Sequence, residues 1–187
     1  MCMGTIHSFE PLARNLAAAS GATVVPVGYR LAPENPPPAQ FDDAYAATAW
    51  VAEHAAELRV DPARLVVVGD SAGGTLAAAV ALAARDRGGR AIACQVLMYP
   101  GLDRDLGARS IAECADAPIL SRDDVLYLNE LADNGHGYPD NAYRIPAYAA
   151  DLTGLPPSIV VTAECDPIRD WGNATRTGSA KPAYRPP

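Results

Sequence analysis

Six consecutive residues concentrate the chemistry this chain can do: Gly69-Asp70-Ser71-Ala72-Gly73-Gly74. They follow the apolar run Leu65-Val66-Val67-Val68 and open an Ala-rich stretch that reads as a helix from about Ala72 to Arg87. A serine set in G-x-S-x-G between strand and helix is a nucleophile elbow, where a sharp turn holds the hydroxyl out at the end of the sheet. The flanking Gly69, Gly73 and Gly74 are needed because a Cβ there would run into neighbouring backbone. The Ala72 N–H, at the helix N-terminus, would point at an oxyanion forming on an acyl carbon attacked by Ser71. The implied chemistry is acyl transfer through a covalent intermediate. The plain alternative is a Gly-rich turn that merely joins strand to helix. A phosphate loop fits less well, because no Gly-Lys-Ser or Gly-Lys-Thr follows.

A serine nucleophile needs a base, and the base needs an acid to orient it. Asp166 lies just past the apolar run Ile159-Val160-Val161 and before Pro167, the strand-end loop position where α/β folds carry their chemistry. A solvated loop carboxylate is the alternative for it. Asp70 is nearer in sequence but adjoins the nucleophile and points elsewhere, so its expected role is structural. The chain has three histidines. His7 precedes the first helix, His54 falls in a long amphipathic helix, and His136 sits in Asn134-Gly135-His136-Gly137. Each reads first as a solvated residue, since a base must come within about 3 Å of the serine hydroxyl. His136 is the one weak candidate retained, because its irregular segment could fold over the site.

The composition narrows the classes. The formal net charge of −7, with no basic stripe, argues against phosphate-backbone binding. No run approaches the roughly 18 apolar residues of a membrane span. Cys2, Cys94, Cys114 and Cys165 are scattered, with neither a CxxC pair nor a histidine at zinc spacing, so no metal site is expected. Thiols inside apolar runs act as small core residues, and the expected compartment is reducing and cytoplasmic.

The elements that must position Ser71 follow from periodicity. A first helix reads from Ser8 as N-cap, with Phe9, Leu12, Ala13 and Leu16 at helical spacing and Gly21 as the stop. The β-branched run Thr23–Val27 reads as a strand weakened by Pro26, which lacks an N–H. A second helix is expected from about Phe41 to Leu58. Strands are expected over Leu65–Val68, Ala91–Tyr99 and Ser158–Thr162, and a capped helix begins at Ser121-Arg122-Asp123-Asp124. Buried strands alternating with helices predict an α/β fold, a three-layer α/β/α sandwich with a mostly parallel, incomplete sheet. One domain is expected over residues 1–172, with an irregular, cap-like segment over 101–157.

With these residues in view, the sequence resembles the hormone-sensitive-lipase-like branch of the α/β-hydrolases. The resemblance is carried by Tyr29-Arg30-Leu31-Ala32-Pro33-Glu34 and Gly69-Asp70-Ser71-Ala72-Gly73-Gly74. Asp61-Pro62-Ala63-Arg64-Leu65, Leu155-Pro156-Pro157 and Glu164-Cys165-Asp166-Pro167-Ile168-Arg169-Asp170 add to it, in the family's order. It implies a cofactor-free carboxylesterase or lipase acting on small-molecule acyl esters through a Ser–Asp–His triad. On that resemblance Ser71 is the nucleophile, Asp166 the triad acid and the Ala72 N–H an oxyanion donor.

Two of the family's parts have no counterpart. The His-Gly-Gly-Gly segment that completes the oxyanion hole does not precede the first helix, and no histidine follows Asp166. The chain therefore reads as truncated at both ends, and its esterase activity is expected to be weak or absent. Residues 173–187 lack a periodic apolar face; a disordered tail is expected there, with the composition of a shifted reading frame in GC-rich DNA. Two alternatives stand beside a feeble esterase: a non-catalytic small-molecule-binding protein of the same fold, and an unstable gene fragment.

Overall fold

Three short apolar runs pair side by side. β1 (Val66–Asp70), β2 (Cys94–Met98) and β3 (Ser158–Val161) form a parallel sheet in that order. Val66 pairs with Cys94, Asp70 with Met98, and Met98 in turn with Val161. The computed structural model describes residues 1–135 and 137–173. Around the sheet lie α1 (Ile6–Ser20), α2 (Ala39–Glu53), α3 (Ala55–Leu58), α4 (Ala72–Asp86), α5 (Arg109–Glu113), α6 (Arg122–Asp133) and α7 (Arg169–Asn173). The parallel α/β class expected from the sequence is the one observed, with flanking helices and an open sheet.

α4 is the structural centre. Every residue from Gly74 to Ala84 is buried, because the helix is apolar all round and lies between the sheet and α2. Ala77 and Ala78 pack with Leu97, Leu102, Val67 and Val160, while Leu76, Ala79 and Ala83 pack with Phe41 and Tyr29. Alternation along the strands sends Val67, Leu97 and Val160 toward α4 and their neighbours to the opposite face. That opposite face is open among the described residues: Val66 and Val68 are 44% exposed, Ile159 54% and Val161 50%. Among the described residues no second helical layer is packed on it, and the apolar stripe of α1, formed by Ile6, Phe9 and Leu12, is exposed as well.

Local details depart from the sequence reading in four places. Thr5, not Ser8, caps α1; Ser8 is the third helical residue and completes a reciprocal capping box with Thr5. The helix expected over residues 41–58 breaks at His54, whose ring stacks on Trp50 at 4.2 Å between centroids. The expected strands at 91–99 and 158–162 shorten to five and four residues. Thr23–Val27 forms no strand, since Pro26 cannot donate and no described strand pairs with the outer edge of β1. The N-cap expected at Ser121 is present, its hydroxyl accepting from the Asp124 N–H.

Two ion-pair groups hold the segments near the sheet's C-terminal edge. The Arg30 guanidinium donates from Nε and Nη2 to both carboxylate oxygens of Asp43, and this pairing holds the Asp43 carboxyl below the usual range. The half-buried Asp133, at the end of α6, takes Arg104 at 3.2 Å and also pairs with Arg144, which is itself 3.2 Å from Asp140. α6 and the chain around residues 138–145 are thereby tied to the segment that leaves β2.

Candidate active site

Ser71 stands at the turn between β1 and α4. Its backbone adopts φ +47° and ψ −117°, a strained conformation that non-glycine residues rarely take. The Ser71 N–H still donates to the Met98 carbonyl at 2.8 Å, so the sheet ladder runs right up to the turn. The turn can be this tight because Gly69 has no side chain: a Cβ there would lie 2.1 Å from the Gly73 carbonyl oxygen. Gly74 admits Pro100, whose Cβ would otherwise be met at 2.8 Å. Gly73, expected to be needed for the same reason, is not: a Cβ there would meet only the Asp70 carboxylate, at 3.7 Å. Thr75 fixes the turn from below, donating from Oγ1 to the Gly101 carbonyl at 2.9 Å.

The Ala72 N–H opens α4 and has, by position, no intrahelical acceptor. Ser71 and Ala72 both line a cavity of about 460 Å³, within the usual range for small-molecule sites. Its walls are largely apolar, with Leu120, Val125 and Leu128 on one side and Leu76, Ile168 and Trp171 on others. Asp70 turns away from it toward two tyrosines. Burial first, and the Asp70 charge second, push the Tyr29 and Tyr99 hydroxyls above the usual tyrosine range.

Asp166 lies in the loop after β3, on the sheet edge that carries Ser71. Two inter-strand spacings, about 10 Å, separate the strands that lead to them. Its Oδ1 accepts from the Ile168 N–H at 2.9 Å, and its carbonyl accepts from Arg169. Burial pushes the Asp166 carboxyl above the usual range, against the opposing pull of the Ile168 N–H and of Arg169. Asp166 is not itself a wall of the cavity, whereas Ile168 beside it is.

No histidine is brought to either residue among the described ones. His7 is solvent-exposed, 3.8 Å from Glu10, and the His54 Nδ1 is 2.9 Å from the Trp50 carbonyl. His136 lies outside the described residues. Among the described residues no group of His, Cys, Asp or Glu is arranged to hold a metal ion, and all four cysteines are free. No described helix is long and apolar enough to cross a membrane. The sequence reading missed Thr75, whose clasp on Gly101 joins chain segments that only the fold brings together, and the cavity wall formed by α6.

A family model described as alpha/beta hydrolase fold matches residues 1–181. The chain belongs to the α/β-hydrolases, in their hormone-sensitive-lipase-like esterase branch. Carboxylesterase NlhH of Mycobacterium tuberculosis is 46% identical over 173 residues, covering 91% of this chain and 54% of the relative. An arylesterase of Saccharolobus solfataricus is 36% identical over 175 residues, covering 92% of this chain and 56% of its own length. The solved esterase of Pyrobaculum calidifontis superposes with a TM-score of 0.83 at 40% identity, covering 91% of this chain and 56% of that one. A bacterial heroin esterase superposes at 0.84 with 38% identity, over 91% and 56% of the two chains. This α/β-hydrolase chain thus spans about half the length of the relatives it matches.

Proposed function

We propose that this chain carries the nucleophile half of a carboxylic ester hydrolase, with Ser71 attacking the ester carbonyl of a small acyl ester. The observation that carries the reading is the elbow: a serine at φ +47°, on a strand-to-helix turn, lining an apolar cavity. Ser71 Oγ bonds to the carbonyl carbon, the alcohol leaves with a proton, and water releases the acid from the acyl-enzyme. The Ala72 N–H meets the oxyanion of each tetrahedral intermediate, a contact worth about 10²–10³ in kcat in a well-studied protease. Asp166 is the acid that would orient the base. Neither His7 nor His54 lines the cavity, so the base comes from outside the described residues, and His136 is the weak candidate within the chain. Turnover by this chain is therefore low. No metal or cofactor takes part, no nucleic acid is a partner, and a reducing cytoplasmic compartment suits the four free thiols.

Hydrolysis of p-nitrophenyl butyrate by the wild type and by Ser71→Ala tests this reading. A slow rate that Ser71→Ala abolishes supports it; a rate that survives the substitution overturns it.

A further inference from the structure

The wall that α6 presents to the cavity is made by Val125, Leu128, Asn129 and Ala132, the i, i+3, i+4, i+7 stripe that would ordinarily pack on a core. Three of the four are apolar. The fourth, Asn129, is half-buried, and its side-chain amide makes no hydrogen bond with any described residue. An amide on the inward stripe of an otherwise apolar helix face, unpaired within the protein, leaves a donor and an acceptor for a hydrogen-bonding group that enters the cavity. The Cys2 thiol reaches the Leu128 carbonyl at 4.0 Å, and Asp133 one turn further is clamped by Arg104 and Arg144. Asn129 is thus carried between two tie points of α6, at Leu128 and Asp133, in the cavity that Ser71 lines.

We propose that Asn129 is a specificity-determining residue, selecting esters that carry an uncharged hydrogen-bonding group, such as a hydroxyl, on the part lying against α6. The identity of the ligand as an ester rests on the hydrolase reading above; the hydrogen-bond selection does not. Two isosteric pairs separate the acyl side from the alcohol side: methyl 3-hydroxybutanoate against methyl 3-methylbutanoate, and 2-hydroxyethyl butanoate against propyl butanoate. Binding is read from Trp171, which is buried and lines the same cavity, in a Ser71→Ala, Trp50→Phe background that leaves the esters intact. The hydroxyl member of one pair binds about tenfold tighter than its methyl counterpart, and Asn129→Leu and Asn129→Ala each remove that preference. Equal affinities within both pairs, a preference that survives both substitutions, or no binding of any of the four esters would overturn the assignment. Absence of turnover in the chain that retains Ser71 instead counts against the hydrolase reading alone, because the affinity ratio is measured without it.

Discussion

α1 and α4 are both fifteen-residue helices, yet α4 buries every residue from Gly74 to Ala84 and α1 buries none. The difference lies in what each meets. α4 starts at the elbow, runs back along β1 and β2, and carries α2 on its far side, so its small alanines allow close approach from both directions. α1 has a legible apolar stripe, but Ile6, Phe9 and Leu12 stay exposed, with Ile6 and Phe9 met only in part, at Gly28 and Gly4. Periodicity is thus a promise of burial that tertiary contact must keep. The nucleophile sits on the element that kept it.

The comparison can be broken most forcefully at the elbow. Gly69→Ala places a Cβ 2.1 Å from the Gly73 carbonyl oxygen, which cannot move without pulling α4 off the sheet. The expected loss is above about 4 kcal/mol, read as failure to reach a cooperatively folded state in thermal unfolding. Along the helices, Leu82→Ala should lower stability by about 2–5 kcal/mol, because Leu82 is fully buried in α4. Leu12→Ala on α1 should change it by no more than about 0.5 kcal/mol in the same denaturant titration. Equal losses for the two would show that α1 packs as tightly as α4.

A smaller effect separates the clamped helix α6 from the unclamped α1. Burial opposes ionisation of Asp133, but Arg104 and Arg144 outweigh it and hold the carboxyl below the usual range. A carboxyl depressed in the folded state contributes stability above its unfolded value, and that contribution fades as the pH falls through the folded value. Asp133→Asn should therefore lower stability at pH 7 by about 1–3 kcal/mol. The gap between variant and wild type should close as the pH is taken below 4, measured by urea midpoints across pH.

The elbow is legible in the sequence because its requirements are local: two glycines, a preceding Val-rich run and a following helix fit only one kind of turn. α6 is legible for the same reason, through Ser121 and Asp124 capping each other. What the sequence hides depends on partners. Thr23–Val27 has the residues of a strand, but a strand exists only where a neighbour accepts its hydrogen bonds. The expected helix at 41–58 breaks at His54, whose ring stacks on Trp50. Thr75, Asn129 and the walls of the cavity belong to segments that meet only in three dimensions. Of the tail expected over residues 173–187, Asn173 instead closes α7, and the remainder, like His136, lies outside the described residues.

The central claim is that Ser71 is a preformed nucleophile whose base is not supplied by His7 or His54. Adding imidazole to the reaction tests it directly, because a small diffusible base can take the proton that no described side chain reaches. After subtraction of the protein-free rate, hydrolysis of p-nitrophenyl acetate by the wild type should rise with imidazole concentration and saturate, while Ser71→Ala stays at zero throughout. Identical wild-type and Ser71→Ala rates at every imidazole concentration would contradict the account.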